Sequence, residues 1–131
     1  MPPRVLDVGQ CVPDHAAIRR LLESKFAVQV VQTHGMDDTL AELRRGEFAL
    51  VLVNRKLDAD YSDGLEIIKQ IKADPKLAPI PVMLVSNYPN AQQQAVAVGA
   101  EMGFGKAQLG SGETQARLQA VLAKNTEGKS A

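Results

Sequence analysis

The sequence predicts a single α/β domain in which a parallel sheet carries helices on both faces. Strand-like apolar runs alternate with helix-patterned segments five times along the 131 residues, which is typical of parallel sheets with right-handed crossovers. Residues 48–53 form a short, uncharged run rich in valine and leucine, as expected of a strand that is covered on both faces. The composition, 45% apolar and 23% charged, indicates a globular chain with a real core.

Two strand–helix pairs are predicted in the first part of the chain. An apolar run predicts a strand at residues 5–9, and a proline then opens a helix over residues 13–24, because proline is favoured in the first helical turn. A second apolar run predicts a strand at residues 26–31. The helix that follows covers residues 36–45, and Gly46 ends it.

The central strand is predicted at residues 48–54 and ends in the amide side chain of Asn54. A helix over residues 64–73 is predicted from leucine and isoleucine at helical spacing, and a proline soon afterwards favours its end there. The fourth strand covers residues 80–86, where prolines stand only near the start. Because open α/β sheets bind ligands at the carboxyl ends of their strands, Asn54 is predicted to point into the binding crevice.

Three elements complete the predicted domain. A fourth helix covers residues 90–98, a fifth strand covers residues 102–105, and a last helix covers residues 113–123. Two glycines make the fifth strand the weakest of these predictions. The domain is expected to span residues 1–124, with residues 125–131 as a polar tail or the start of a linker.

The totals exclude several classes of function. Fifteen basic and fifteen acidic side chains cancel, so charge alone favours neither nucleic acid nor an anionic membrane. The one cysteine, Cys11, excludes an internal disulfide framework and fits a reducing compartment. No apolar run approaches the roughly 20 residues that span a bilayer, and the N-terminus lacks a signal-peptide layout. We therefore expect a soluble, cytoplasmic domain that binds neither nucleic acid directly nor a membrane.

Five segments along the chain carry a family resemblance. They are Ser62-Asp63-Gly64-Leu65-Glu66-Ile67-Ile68, Ile71-Lys72-Ala73-Asp74, Ile80-Pro81-Val82-Met83-Leu84-Val85-Ser86, Val98-Gly99-Ala100 and Lys106. In order and spacing they resemble the receiver domain of bacterial response regulators, over the chain to about residue 123. The resemblance implies a flavodoxin-like fold, which is a doubly wound, five-stranded parallel sheet in the order 2-1-3-4-5.

The resemblance also implies a set of site positions. Receivers take a phosphoryl group from a histidine kinase onto an aspartate at the end of the third strand, with Mg²⁺ held by that aspartate and an acidic pair after the first strand. A hydroxyl residue and a lysine bind the phosphoryl oxygens, and Ser86 and Lys106 match these two. Asn54, however, falls on the phosphoacceptor aspartate, and Gly9 and Gln10 fall on the acidic pair.

These departures predict a receiver fold without receiver phosphochemistry. A carboxylate oxygen is the nucleophile in acyl-phosphate formation, and the amide of Asn54 cannot form a stable acyl phosphate. Mg²⁺ prefers hard, charged oxygen ligands, so the loss of three carboxylates predicts that Mg²⁺ binding is weak or absent. We assign no catalytic residue and no cofactor, and expect Asn54, Ser86 and Lys106 to form a hydrogen-bonded remnant of the site.

Ala107 is a further departure, because the family usually has a proline after the lysine. A cis bond before a residue other than proline costs about 2.5–4 kcal/mol, so the Lys106–Ala107 bond is predicted to be trans. The loop that carries Lys106 is then expected to run differently from the family's, which can take Lys106 away from the crevice.

The predicted function is that of a phosphorylation-independent protein–protein interaction module in two-component phosphorelay signalling, not an enzyme. The expected partner is a histidine kinase, an output domain or another receiver, with a homodimer as one form. The surfaces at residues 90–100 and 111–123 are the candidates for contact, since the fourth helix carries no charge. Two alternatives stay open. One is a small-ligand-binding module of the same fold. The other is an S-adenosylmethionine-dependent enzyme, because Leu6-Asp7-Val8-Gly9 partly resembles the first motif of such enzymes.

A few single residues have both a functional and a structural interpretation. Asp7 is either a displaced metal ligand or, as we favour, a hydrogen-bonded strand carboxylate, because Mg²⁺ would lack its other partners. The loop at residues 58–63 resembles a calcium loop, but Asp63 and Lys69 stand where the glycine and glutamate of that loop belong. Asp63 or Ser62 is instead expected to cap the third helix.

The two histidines and the cysteine are given structural interpretations. His15 and His34 are single and well separated, so surface or capping roles are expected rather than a phosphorelay role. Cys11 is expected to be a small buried hydrophobe, as most lone cysteines are.

Overall fold

Five strands and five helices alternate along the chain. The computed structural model describes residues 2–130, with side chains described for residues 2–123. The strands are β1 (Arg4–Val8), β2 (Gln29–Thr33), β3 (Leu50–Asn54), β4 (Val82–Val85) and β5 (Glu101–Phe104). The helices are α1 (Val12–Lys25), α2 (Met36–Arg45), α3 (Gly64–Ala73), α4 (Pro89–Ala97) and α5 (Gly112–Ser130), and a 3₁₀ turn covers Lys106–Gln108.

The strands form one parallel sheet in the order β2-β1-β3-β4-β5, which confirms the predicted fold class and strand order. From β1 the sheet is extended outward by β2 on one side, and from β3 by β4 and β5 on the other side. A crevice therefore opens between β1 and β3 at the carboxyl ends of these strands, as in other doubly wound sheets. None of the helices within residues 2–130 is both long and apolar enough to cross a membrane.

Two apolar layers cover the sheet. On one face, α1 and α5 pack Ile18, Leu22 and Leu118 against the side chains of β1, β3 and β4. On the other face, α2, α3 and α4 cover the sheet with a second cluster of buried side chains. Both faces of β3 are therefore buried, and its residues from Leu50 to Val53 are fully buried, as its unbroken apolar run predicts.

The boundaries of two helices match the predictions, whereas β2 and α5 differ. The helices α2 and α3 have the predicted bounds. The strand β2 begins three residues later than predicted because Ala27 has a φ of 47°, which breaks the extended backbone. The helix α5 continues beyond the predicted end at residue 123 to Ser130, through most of the predicted tail. Ala131 lies outside the described residues.

The fifth strand is present, and its glycines have a structural reason. Between the pairs Met83–Glu101 and Val85–Phe104, one residue of β4 faces two residues of β5, which is a β-bulge. A Cβ atom at Gly103 would collide with the Leu84 carbonyl oxygen. Glycine is therefore required where β5 comes close to the backbone of β4.

The bulge is held by a buried glutamine on α4. Gln92 Nε2 donates to the Leu84 and Ser86 carbonyl oxygens at 2.8 and 3.2 Å, and Gln92 Oε1 accepts from the Gly103 N–H at 2.9 Å. Backbone groups that the bulge leaves without a strand partner thereby find one in this side chain. This contact positions Leu84 on β4, Ser86 directly after β4 and Gly103 on β5, the strand that leads to Lys106.

Candidate functional site

A cleft of about 230 Å³ lies at the carboxyl ends of β3 and β4. It contains the three residues that the resemblance selects on this side of the sheet, Asn54, Ser86 and Lys106. The other lining residues are Arg55, Lys56, Val85, Asn87 and Tyr88. The lining includes three cationic side chains and no carboxylate.

Asn54 is half-buried at the end of β3, and its amide is tied to the neighbouring loop. Its Nδ2 donates to the Gly9 carbonyl oxygen at 3.0 Å. A carboxylate could not make this contact, because it carries no hydrogen to donate. The amide thus ties the loop after β1 to the end of β3, at the position where receiver domains have their phosphoacceptor.

Gly9 is the junction at which this loop is fixed. It has a φ of 78°, in the left-handed region that glycine adopts without strain. Its N–H donates to the Thr33 carbonyl oxygen, and its carbonyl oxygen accepts from the Asp58 N–H, both at 2.9 Å. A Cβ atom at Gly9 would collide with the Leu57 side chain. An acidic side chain at the first of the two acidic-pair positions would therefore be strained, by the positive φ and by the Leu57 side chain.

The second acidic-pair position holds a buried amide. Gln10 is 2% exposed, and within residues 2–123 its Nε2 and Oε1 make no hydrogen bond of ordinary length, although its side chain lies close enough to Asp7 to lower the pKa of that carboxyl. Its backbone carbonyl oxygen accepts from Gln32 Nε2 at 3.3 Å. Gln10 does not line the cleft, so this side chain faces the interior and not the crevice.

Asp7 is fully buried in β1, where its Oδ2 lies 2.7 Å from Nδ1 of His15 on α1. Its other oxygen, Oδ1, has no partner. Burial raises the pKa of Asp7 to about 6, against the opposing effects of the His15 hydrogen bond and charge. Asp7 is thus the hydrogen-bonded strand carboxylate that we favoured over a displaced metal ligand.

Lys106 lines the cleft but makes its ion pair elsewhere. Its Nζ lies 2.8 Å from Asp14 Oδ2, in the first turn of α1, and the hydrogen bond from Lys106 lowers the pKa of Asp14. The Lys106–Ala107 bond is trans, as are all peptide bonds of the described residues. The loop keeps Lys106 at the rim of the cleft and turns its charge towards α1.

The expectation that Asn54, Ser86 and Lys106 hydrogen-bond to one another is wrong. Within residues 2–123, no hydrogen bond joins Asn54, Ser86 and Lys106 to one another. Ser86 Oγ instead accepts from the Tyr88 N–H at 3.1 Å. Each of the three side chains instead contacts a group outside this set: Asn54 contacts Gly9, Ser86 contacts Tyr88 and Lys106 contacts Asp14.

Two residues of the first helical turn, Asp14 and His15, were missed as site residues. The surface or capping role expected for His15 is wrong, since its side chain is 14% exposed and contacts Asp7. The available signal was positional: the first turn after β1 must lie at the carboxyl edge of the sheet, beside the loop that carries Lys106. His34 is exposed, as expected. Cys11 is only partly buried, at the N-cap position of α1.

The carboxylates of the described residues do not gather into a metal site. Within the described part of the chain, no three side chains of His, Cys, Asp or Glu are grouped so that they could hold a metal ion. In the loop after β3, Asp63 caps α3 as predicted, accepting from the Leu65 N–H at 3.0 Å. Asp60 in turn accepts from the Ser62 N–H and hydroxyl. These side chains serve the local backbone.

The solved structures that this chain is similar to are response regulators and their receiver domains. The chemotaxis response regulator CheY4 of Vibrio cholerae aligns over 93% of this chain and 100% of its own, with a TM-score of 0.72 and 19% identity. The signal receiver domain of a DNA binding response regulator (merR) from Colwellia psychrerythraea 34H aligns over 91% and 98%, with a TM-score of 0.75 and 22% identity. NtrX from Brucella abortus aligns over 99% of this chain, with a TM-score of 0.75 and 18% identity, and this chain spans 29% of NtrX.

No protein-family model and no curated protein matches the sequence. The likeness to solved structures therefore rests on shape and on the strand order. At these identities it shows the fold: this chain has the fold of response regulator receiver domains.

Proposed function

We propose that this chain is a receiver-like module of two-component signalling that acts through protein–protein contact and is not itself phosphorylated. The observation that carries the proposal is the contact from Asn54 Nδ2 to the Gly9 carbonyl oxygen at 3.0 Å. The phosphoacceptor position holds an amide, which is a poor nucleophile, and that amide is already used to hold the loop.

The same geometry argues against Mg²⁺ chemistry at this site. Mg²⁺ keeps an octahedral shell of hard oxygens and usually needs one or two carboxylates to offset its dehydration. Gly9 has no side chain, Gln10 is turned inward, and the nearest carboxylates, Asp7 and Asp14, are engaged with His15 and Lys106. We infer that Mg²⁺ binds weakly or not at all, and that the module is not an enzyme.

The contact surface that we propose comprises the exposed sides of α4 and α5 within residues 90–100 and 111–123, together with the adjoining β5. The helix α4 carries no charged residue. Val96 on α4 and Met102 on β5 are exposed by 42% and 43%, and Tyr88 next to the start of α4 is exposed by 60%. Exposed apolar side chains beside an uncharged helix favour a protein partner.

Acetyl phosphate treatment in the presence of Mg²⁺, followed by intact-mass spectrometry, tests the proposal. We expect no mass increase in the natural chain. A receiver domain with an intact acidic site, treated in parallel, is the positive control. An acid-labile phosphoryl adduct on the natural chain would overturn the proposal, and Asn54→Asp identifies whether the amide alone prevents the reaction or the missing acidic pair prevents it as well.

The partner surface needs its own test, for which a second copy of the chain is the available probe. Sedimentation velocity over a concentration series measures self-association. If α4 forms a homodimer, Val96→Arg should abolish it, while Arg20→Glu on the exposed side of α1 should leave it intact. A dimer that survives Val96→Arg would contradict the proposed surface, and a monomer at every concentration would restrict the partner to another protein.

A second candidate function is the binding of a small anion, which the lining of the cleft favours. Arg55, Lys56 and Lys106 line it together with the amides of Asn54 and Asn87, and no carboxylate does. A thermal-shift screen with beryllofluoride, inorganic phosphate, nucleotides and S-adenosylmethionine tests it, since a ligand that binds only the native state raises the midpoint of unfolding. A response to an anion that Lys106→Met removes would favour this function over the interaction module.

A further inference from the structure

A carboxylate and an imidazole are paired in the interior, outside the lining of the cleft. Asp7 is 0% exposed, and its Oδ2 is 2.7 Å from His15 Nδ1. Its Oδ1 is buried without a partner. The ring of His15 also lines a groove along the outside of α1. A proton can therefore reach this buried pair from solvent through the imidazole.

The groups around Asp7 do not neutralise it. Its neighbours in the sheet are Gln32 on β2 and Leu52 on β3, and neither carries a charge. The cation that acts on it from the loop after β5 is Lys106, which is already paired with Asp14 at 2.8 Å. On this face α5 contributes apolar side chains. The carboxylate is thus compensated mainly by His15, with smaller contributions from the Gln10 side chain and from Lys106.

On the other side of the imidazole, α1 presents Arg19, Arg20 and Glu23 along the groove. Arg19 Nε donates to Glu23 Oε1 at 3.2 Å, and Glu23 Oε2 accepts from the Val30 N–H at 2.9 Å. These charges are exposed or already paired with one another, so solvent weakens their influence on His15.

The pair joins β1 to the first turn of α1. That turn follows directly on Gly9 and Gln10, whose backbone receives the contacts from Asn54, Asp58 and Gln32. Cys11 at the N-cap gives the helix no side-chain cap. The Asp7–His15 contact is therefore the buried attachment between this turn and the sheet, and the exposed Lys106–Asp14 pair is a second one at the surface.

We propose that the Asp7–His15 pair is a proton-responsive latch, which holds the first turn of α1 and the loop of residues 9–10 against the sheet when it has bound a proton and loosens them when that proton leaves. When Asp7 gives up its proton, a negative charge is left in a desolvated place, which is unfavourable. When Asp7 holds the proton, the carboxyl is neutral and that cost is absent. This response needs neither phosphate nor a metal ion, so it stands apart from the proposed interaction function.

The direction of the response follows from linkage. The pKa of Asp7 is raised from the ordinary 3.8 to about 6, so the closed turn binds more protons than an opened one. Opening is then suppressed below the raised value and becomes easier as the pH rises through it. The change falls in the range where histidine-containing pairs act as pH switches.

Hydrogen exchange of the whole chain measures this opening directly. Protection of the amides in residues 9–16, corrected for the intrinsic effect of pH, should rise on the order of tenfold between about pH 7.5 and about pH 5.5. Asp7→Asn removes the carboxylate and should abolish the pH dependence. His15→Gln keeps a donor for Asp7 but loses the imidazole charge, which should move the transition to higher pH.

His34→Gln is the matched control, because His34 is the second of the two histidines and is exposed. It should behave as the natural chain does. The latch is ruled out if protection of residues 9–16 does not change with pH, or if the change persists in Asp7→Asn. Should Asp7→Asn not fold, a transition that stays at the same pH in His15→Gln would rule it out equally, and so would a carboxyl carbon of Asp7 that titrates at the ordinary value by NMR.

Discussion

Two glutamines are buried on opposite sides of the cleft, and they differ in whether their amides have partners. Gln92, on the β4–β5 side, is 7% exposed and makes three hydrogen bonds to backbone groups. Gln10, on the β1 side, is 2% exposed, and within residues 2–123 its amide makes no hydrogen bond of ordinary length and has only a weaker interaction with Asp7. The same type of side chain therefore stabilises the folded state at position 92 and destabilises it at position 10, because a buried amide stabilises only when its hydrogen bonds are made.

The contrast extends to the regions around the two residues. The β4–β5 side keeps Ser86 and Lys106 at the positions that the resemblance selects, on a bulge that Gln92 satisfies. The β1 side, where the resemblance expects two acids, has Gly9 in a left-handed conformation and unpaired buried atoms on Gln10 and Asp7. Buried polar atoms without an ordinary hydrogen bond thus lie on the β1 side of the described structure, and this is where we expect the molecule to respond to pH.

The largest effect is expected for Gln92→Met. Methionine has a similar volume, but it leaves the Leu84 and Ser86 carbonyl oxygens and the Gly103 N–H without partners in a buried place. We expect a loss of about 3 kcal/mol in the free energy of unfolding, measured by urea titration. Gln93→Met on the exposed side of the same helix is the control and should change little. A small effect at Gln92 would show that the bulge does not depend on it.

Asp7→Asn is expected to have an effect that changes with pH. The folded-state pKa of Asp7 is raised to about 6, so the natural chain loses stability as pH rises through that value, and the asparagine variant does not. Relative to the natural chain, the variant should therefore gain about 2 to 3 kcal/mol between about pH 4 and about pH 7.5, the equivalent of roughly two pKa units. Urea titrations at several pH values measure the difference, and a constant difference would contradict the raised pKa.

Restoring an acid at Gly9 should destabilise the chain. Gly9→Asp places a side chain at a φ of 78° and against Leu57, for which we expect a cost of about 2 kcal/mol. Gly9→Asn should cost a similar amount, because asparagine matches aspartate in shape and in tolerance of a left-handed backbone but carries no charge. Thermal unfolding of both variants tests this, and an aspartate that is tolerated while asparagine is not would point to a surviving cation site.

The smallest effect is expected for Gln10→Met. This is the same type of substitution as Gln92→Met, made on the other side of the cleft. Since the amide of Gln10 makes no hydrogen bond of ordinary length, its loss removes a desolvation cost and, at most, a weak interaction with Asp7. The free energy of unfolding should stay within about 1 kcal/mol of the natural value or increase. A loss as large as that of Gln92→Met would show that Gln10 has a partner of its own and would end the contrast between the two sides.

Much of the fold could be predicted because its signals are local. Apolar runs, helical spacing and end residues such as Gly46 and Asp63 act within a few positions, and α2 and α3 have the predicted bounds. The beginning of β2 was missed because the left-handed conformation of Ala27 has no local signal. The positions of Asn54, Ser86 and Lys106 around one cleft were also predictable, since the carboxyl ends of parallel strands meet at one edge of the sheet.

The partners of those side chains were decided by tertiary structure alone. Sequence determined that an amide, Asn54, stands at the end of β3, where the resemblance to receiver domains implies an acid. It did not determine that Asn54 holds Gly9, that Lys106 turns to Asp14, or that Asp7 meets His15. A hydrogen bond or ion pair forms only where two groups arrive within about 3 Å of each other, and between residues far apart in the chain that distance is set by how the layers pack.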